Sequence, residues 1–181
     1  MIGVDAGVVW VTGLSGAGKS TVTSIVSGRL TAAGRRPVVL DGDRMRLIMP
    51  TPPGYTEPER RRTAVYYSRL AHELADQGHL VLCATISLFH DVHRWNRENI
   101  KDYLEIWLRV PLTTLKDREG RAAFYDHRSL APDQAPLRNV VGVDAPAQFP
   151  HAADLVIDNF GDTTADAAAD RVMDAITGRR S

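Results

Sequence analysis

The stretch GVVWVTGLSGAGKS at positions 7–20 decides the fold, because its character changes abruptly at Gly13. Residues 7–12 are apolar or β-branched almost throughout, as in a short strand buried on both faces. Gly13, Leu14, Ser15, Gly16, Ala17, Gly18, Lys19 and Ser20 then satisfy the pattern G-x-x-x-x-G-K-[ST], with Thr21 directly after it. Beyond the octet, Val22, Ile25, Val26 and Leu30 recur at helical spacing, and Gly34 closes the run as a C-terminal cap. Chance alone puts such an octet in roughly 1% of chains of this length, before the flanking strand and helix are required. Glycines so spaced let backbone N–H groups curl around a phosphate at the positive end of the following helix. In that geometry Lys19 reaches the β- and γ-phosphate oxygens and the Ser20 hydroxyl ligates Mg²⁺. The stretch therefore predicts binding of a nucleoside triphosphate.

Outward from it, apolar runs alternate with helical patterns along the chain. Residues 37–40, 79–84, 103–110 and 154–157 read as further strands, most of them apolar enough to be covered on both faces. A well-marked helix follows the second strand. Thr56 and Glu59 fit a capping box, Tyr67, Leu70, Ala71 and Leu74 form one stripe, and Gly78 ends it. Further helices are expected over 91–100, from Leu112 after Pro111, and over 164–176. Such alternation specifies a parallel sheet wrapped by helices. Between 119 and 148 the periodicity fades while Pro132, Pro136, Gly142 and Pro146 accumulate. That composition predicts a mobile lid segment closing over a substrate.

The 181 residues, 44% hydrophobic and 24% charged, suit one domain spanning 1–181. With 22 basic and 22 acidic side chains, the chain offers no broad positive field to nucleic acid or anionic lipid, so a small-molecule partner is expected. No window approaches the roughly 18–20 apolar residues of a membrane helix, and the N-terminus lacks a basic signal-peptide start. A cytoplasmic location follows as the expectation. The single cysteine, Cys83, lies in an apolar run and reads as a small buried hydrophobe rather than a disulfide or metal ligand.

The phosphate loop alone leaves a kinase, a GTPase switch and a nucleotide-gated module open. No Asn-Lys-x-Asp guanine motif is present, and strand 103–110 lacks a terminal Asp. A metal-orienting carboxylate must therefore come from elsewhere, and LDGDRMR at 40–46 supplies it where the second strand ends. Groups at the carboxyl ends of parallel strands surround the ligand crevice. A carboxylate there can take the proton of an attacking hydroxyl or hold a metal-bound water, and a guanidinium can grip an acceptor phosphate. Asp43 is assigned that carboxylate role, with Lys19, as the catalytic pair.

GLSGAGKST at 13–21, LDGDRMR at 40–46, GYTEPER at 54–60 and VGVDAP at 141–146 together resemble the adenylylsulfate kinases, in order and near spacing over most of the chain. The resemblance implies a three-layer α/β P-loop NTPase fold with a five-stranded parallel sheet, similar to the nucleoside monophosphate kinases. It also implies transfer of the γ-phosphoryl of ATP, with Mg²⁺, to the 3′-hydroxyl of adenosine 5′-phosphosulfate, usually by a homodimer. Carried over by position, Asp43 is the carboxylate near the acceptor hydroxyl and, with Ser20, the metal. Asp41, Arg46 and Arg60 belong to the acceptor site, and Tyr55 stacks on the acceptor base. Ser87 lines the same site, Arg118 faces ATP, and Arg138 stands where the family has a lysine.

Departures from the pattern concentrate on the acceptor side. Arg44 follows DGD where the family has Asn, and Thr63 replaces another Asn. Ser87, Leu88, Phe89 and His90 replace S-P-Y-R, and Val140 stands for the second aromatic of the base sandwich. They keep open a sister kinase with another acceptor, such as a cytidine diphosphate conjugate or a natural-product intermediate. A nucleotide-binding protein without chemistry is the third reading. Arg61 and Arg62 read as a solvated face, His90 and His93 as a surface pair rather than metal ligands, and Phe89, Trp95 and Trp107 as packing residues.

Overall fold

The computed structural model describes residues 7–118 and 139–178. Five parallel strands, β1 (Gly7–Thr12), β2 (Val38–Asp41), β3 (Leu80–Ala84), β4 (Tyr103–Arg109) and β5 (Leu155–Asp158), form one sheet in the order β2-β3-β1-β4-β5. Among the described residues six helices connect or follow them: α1 (Lys19–Ala32), α2 (Gly42–Ile48), α3 (Glu57–Asp76), α4 (His90–Asn99), α5 (Leu112–Asp117) and α6 (Ala165–Gly178). All five strands expected from the sequence are present, shifted by at most a residue or two at their ends.

Because side chains alternate along a strand, β1 serves two cores at once. Val9 and Val11 face one layer with Val22, Val26, Leu30, Val172 and Ile176, which are residues of α1 and α6. Val8 and Trp10 face the other with Ala64, Tyr67, Ala71 and Val92, from α3 and α4. Six of six β1 residues are buried, which explains the unbroken apolar run in the sequence. Cys83 lies in the second core, where burial pushes its thiol pKa up.

Register places the functional ends. Asp41 of β2 pairs with Ala84 of β3, which pairs with Val11 of β1. The chain leaves β1 toward β2 on one side and leaves β3 toward β4 on the other, so the crevice opens at the carboxyl ends of β1 and β3. The capping box forms as read: the Thr56 N–H donates to Glu59 Oε2 at 3.1 Å, and the Thr56 hydroxyl donates to the same oxygen at 2.6 Å. Among the described residues no helix is long and apolar enough to cross a membrane. Most of the expected lid, 119–138, lies outside the described residues. Its last part forms a tight turn in which the N–H groups of Val143, Asp144 and Ala145 converge on the Val140 carbonyl.

Candidate active site

The loop between β1 and α1 requires its glycines for distinct reasons. A side chain on Gly13 would meet the Leu108 carbonyl at 2.5 Å, and Gly18, at φ 93°, would meet the Asn159 amide at 2.5 Å. Asn159, just past β5, explains that crowding. Its Nδ2 donates to the Ala17 carbonyl at 2.8 Å, while its own carbonyl accepts from Arg118 Nη2 at 2.6 Å. Arg118 also donates through Nη1 to the Gly16 carbonyl at 2.5 Å. Asn159 and Arg118 thus brace the loop from outside. The sequence reading missed Asn159, whose one signal was its place at the carboxyl end of the last strand.

Ser15, Gly16, Gly18, Lys19, Ser20 and Thr21 line one cavity of about 940 Å³, counting its open mouth, with Asp41, Asp43, Thr85 and Arg118. Ala17 is buried and holds the loop instead of facing this space. Lys19 Nζ donates to the Leu14 carbonyl at 2.8 Å. Ser20 Oγ donates to Asp41 Oδ2 at 2.5 Å, and Asp41 Oδ1 accepts the N–H groups of Asp43 and Arg44 at 3.1 and 3.2 Å. Asp41 therefore caps α2 and turns its second oxygen to the phosphate loop. Expected on the acceptor side, it lines the phosphate cavity, because the β2–β3–β1 register brings its carboxylate beside Ser20.

A second cavity of about 700 Å³ adjoins the first. Asp43, Arg46, Tyr55, Arg60 and Ser87, four of them from different segments, all line it, so these expected neighbours are brought together. Arg138 lies outside the described residues. Tyr67, Phe89 and Val141 complete much of the apolar wall. Arg46 donates to the Pro53 carbonyl and lies 4.3 Å from the Tyr55 ring centroid, so one guanidinium orders the segment that presents the tyrosine. Burial pushes the Arg60 pKa down, against the raising influence of Glu57 and Asp144. The Tyr67 hydroxyl donates to the Gly42 carbonyl at 3.1 Å, and burial raises its pKa to about 12, so it stays protonated.

Three expectations change here. Phe89 lines the cavity as well as packing in the core. Val140, expected opposite the base, is 4% exposed and packs with Leu14, while its neighbour Val141 faces the cavity. The turn at 140–145 sets this one-residue difference. His90 and His93 do not form a surface pair, since His93 is 6% exposed and points beneath the Ser87 loop. His90 instead stacks on His151 at 3.9 Å between ring centroids. Ser87 itself sits at φ 26°, a conformation that costs a non-glycine residue about 1–3 kcal/mol.

Gly42, Asp43, Thr85 and Ile86 are common to both cavities. Asp43 makes no side-chain hydrogen bond or ion pair among the described residues, which leaves a free carboxylate on the boundary. A polar cavity framed by a glycine loop, an apolar cavity with two arginines and a carboxylate between them suit transfer of a group from one ligand to another.

Comparison with known proteins agrees with this layout. The adenylylsulphate kinase family model matches residues 5–158. The chain is 33% identical over 152 residues to an adenylyl-sulfate kinase of Paraburkholderia xenovorans, covering 83% of this chain and 82% of that one. It is equally 33% identical over 152 residues to a cytidine diphosphoramidate kinase of Campylobacter jejuni, covering 84% and 85%. The bifunctional enzyme NodQ of Azospirillum brasilense is 33% identical over 93% of this chain, which spans only 27% of that longer protein. Among solved structures, the Mycobacterium tuberculosis APS kinase CysC, in complex with AMPPNP and APS, superposes with a TM-score of 0.80 at 30% identity, covering 94% of this chain and 96% of that one. By motif, topology and similarity along most of its length, the chain belongs to the adenylylsulphate kinase family of P-loop phosphotransferases.

Proposed function

We propose that this chain transfers the γ-phosphoryl group of ATP to a hydroxyl of a small nucleotide-like acceptor, with adenosine 5′-phosphosulfate the first candidate. The observation that carries the reading is Asp43, an uncommitted carboxylate lining both the phosphate cavity and the apolar cavity. In this reading the phosphate-loop N–H groups and Lys19 hold the donor phosphates, and Lys19 exchanges the Leu14 carbonyl for a phosphate oxygen. Asp43 takes the proton of the acceptor hydroxyl as the phosphoryl group arrives, and Arg46 and Arg60 hold the acceptor's anionic group. Tyr55 and Phe89 offer ring faces to a base.

The donor set fits Mg²⁺: a hydroxyl from Ser20, the Asp41 carboxylate bonded to it, and Asp43 beside them form the all-oxygen environment a hard cation takes. Bound there, the ion supplies charge neutralisation on the donor phosphates. The pairing of Ser20 with Asp41 makes Asp41 a metal-side carboxylate in addition to Asp43.

A second reading concerns the acceptor alone. The resemblance implies an aromatic partner for adenine at position 140, where this chain has a buried valine; Val141 beside it faces the cavity, and a relative of equal identity is a cytidine diphosphoramidate kinase. A smaller base or a different conjugate fits such a wall. The test is ADP release from Mg·ATP with adenosine 5′-phosphosulfate, run beside cytidine diphosphate conjugates. Fast turnover yielding a 3′-phosphorylated product supports the first acceptor, and turnover only with a cytidine compound selects the second. ATP binding with no acceptor-dependent ADP release across the panel removes the kinase reading. Sedimentation of the same sample tests the homodimer.

A further inference from the structure

One peptide of the phosphate loop is held from outside by a side chain that the proposed chemistry does not use. Asn159, 6% exposed just past β5, donates through Nδ2 to the Ala17 carbonyl at 2.8 Å, a bond buried from solvent. Because that acceptor is a backbone carbonyl, the side-chain amide must present its nitrogen there and not its oxygen. Asn159 is itself fixed by two further bonds. Its N–H donates to the Arg109 carbonyl at 3.0 Å, and its own carbonyl accepts from Arg118 Nη2 at 2.6 Å. The residue thus stands on the end of the sheet, and β4 and β5 set where its amide points.

What the Asn159 bond controls follows from the geometry of a peptide. The peptide atoms are coplanar, and in the trans form the C=O and the N–H point in opposite directions. No described peptide bond is cis. Holding the Ala17 carbonyl on the outside therefore aims the Gly18 N–H the other way, toward the phosphate cavity, which Gly18 lines while Ala17 is buried. The preceding peptide is arranged differently. There the Gly16 carbonyl accepts from Arg118 Nη1 at 2.5 Å and the Ala17 N–H donates to the Leu14 carbonyl at 3.1 Å, so protein engages both ends. Among the described residues the Gly18 N–H donates to no protein acceptor. It is a donor left for a ligand, and its direction hangs on one side-chain bond. Gly18 has the backbone freedom of a residue without a Cβ, so nothing intrinsic to position 18 would keep that plane in place.

We propose that Asn159 is a positioning residue for the phosphoryl donor: it locks the Ala17–Gly18 peptide plane so that the Gly18 N–H is already aimed at a phosphate oxygen before ATP arrives. This role rests on reading the phosphate cavity as the ATP site. An amide facing an anionic oxygen makes a charge-assisted bond, stronger than a neutral one. Aiming it beforehand removes the ordering cost that a freely rotating peptide would incur on binding. The bond is made to bound ATP and to the transition state alike, so its loss raises the ATP KM and leaves kcat nearly unchanged. That split separates Asn159 from Lys19 and Asp43, whose loss falls on kcat.

Two variants of the full chain distinguish this role from packing. Asn159→Ala removes the amide, and Asn159→Leu fills nearly the same volume without a donor. Residual dipolar couplings of the Gly18 N–H, measured without nucleotide, are expected to place that bond on the cavity side in the parent protein and to change in both variants. The calorimetric Kd for Mg·ATP is expected to weaken about 10- to 100-fold in both. Neither measurement needs an acceptor. With whichever panel compound turns over, the ATP KM is expected to rise by a similar factor, while kcat and the acceptor KM stay within about 3-fold. Gly18 couplings in Asn159→Leu identical to those of the parent protein overturn the proposal, as does parental Mg·ATP affinity in that variant. A kcat that falls as far as the ATP KM rises also overturns it. If the couplings change on substitution but the parent protein binds no Mg·ATP, the peptide lock stands and the donor reading falls.

Discussion

The phosphate cavity and the apolar cavity touch along Asp43, yet they are built in opposite ways. Apart from the residues at 41–43 and 84–86 and Arg118, the phosphate side comes from one contiguous segment, 15–21, whose backbone does the binding. The apolar side is assembled from α2, the turn at 54–55, α3, the loop 85–89 and the turn at 140–146, and its side chains do the work. A backbone cradle tolerates exchange of most side chains around it, because its donors are amide groups present in every residue. A side-chain cradle can be retuned one residue at a time. The same fold can therefore keep its donor fixed while its acceptor drifts, which is the distribution of departures found along this chain.

The comparison breaks most sharply if the phosphate side proves dispensable. Lys19→Ala is expected to lower kcat about 10³-fold, measured as ADP release, with the far-ultraviolet circular dichroism unchanged because Ala is a strong helix former at the first position of α1. Asp43→Asn is expected to lower kcat by about 10²- to 10⁴-fold while leaving the ATP KM within a few fold, as loss of a proton acceptor should. A kcat for Asp43→Asn near that of the parent protein would show that the shared boundary is not where chemistry occurs.

How much of this was legible in the sequence follows the same division. The octet at 13–20 announced its strand, turn and helix because one local segment carries the whole signal. The Thr56–Glu59 cap was equally local. Asp41 was misplaced because its contact with Ser20 depends on two strand registers, β2 with β3 and β3 with β1, which periodicity does not encode. His93 was read as a surface residue because α4 buries Val92, His93 and Asn96, two of them polar, so no apolar stripe marks its inner face. Val141 was overlooked beside Val140 because which of two adjacent valines faces a cavity is decided by a turn, not by residue type. Asn159 reaches Ala17 across 142 positions of sequence, a contact no local pattern reveals.

The acceptor side offers graded ways to sharpen the contrast. Arg60→Ala is expected to raise the acceptor KM about 10- to 100-fold with the ATP KM unchanged, since it removes a charge-assisted contact on one side only. Equal rises in both constants would mean that the two cavities are coupled more tightly than their separate linings suggest. Val141→Phe should have a smaller effect, about 2- to 10-fold in favour of adenine over cytosine acceptors, the span of one aromatic pair. Competition between the two acceptors in a single reaction reads that ratio directly.

The smallest effect tests the frame that holds the acceptor wall. Glu59 opens α3 through its bonds to Thr56, and those bonds, the hydroxyl first and the backbone N–H second, hold its carboxyl pKa below the usual value. A carboxylate whose folded-state pKa is depressed stabilises the fold fully above its unfolded-state pKa and loses that contribution as pH falls through the folded-state value. Glu59→Gln is therefore expected to lower Tm slightly and by a constant amount at neutral pH, with the gap to the parent protein closing in acid. The ATP KM should not move, because the cap lies on the acceptor side of Asp43. The acceptor KM should rise modestly, because Arg60 follows Glu59 on the first turn of α3 and its side chain is aimed by that turn. A Tm gap that widens in acid would mean that Glu59 is strained in the fold instead of satisfied by Thr56, and that α3 is set by its packing on α4 and β3 alone.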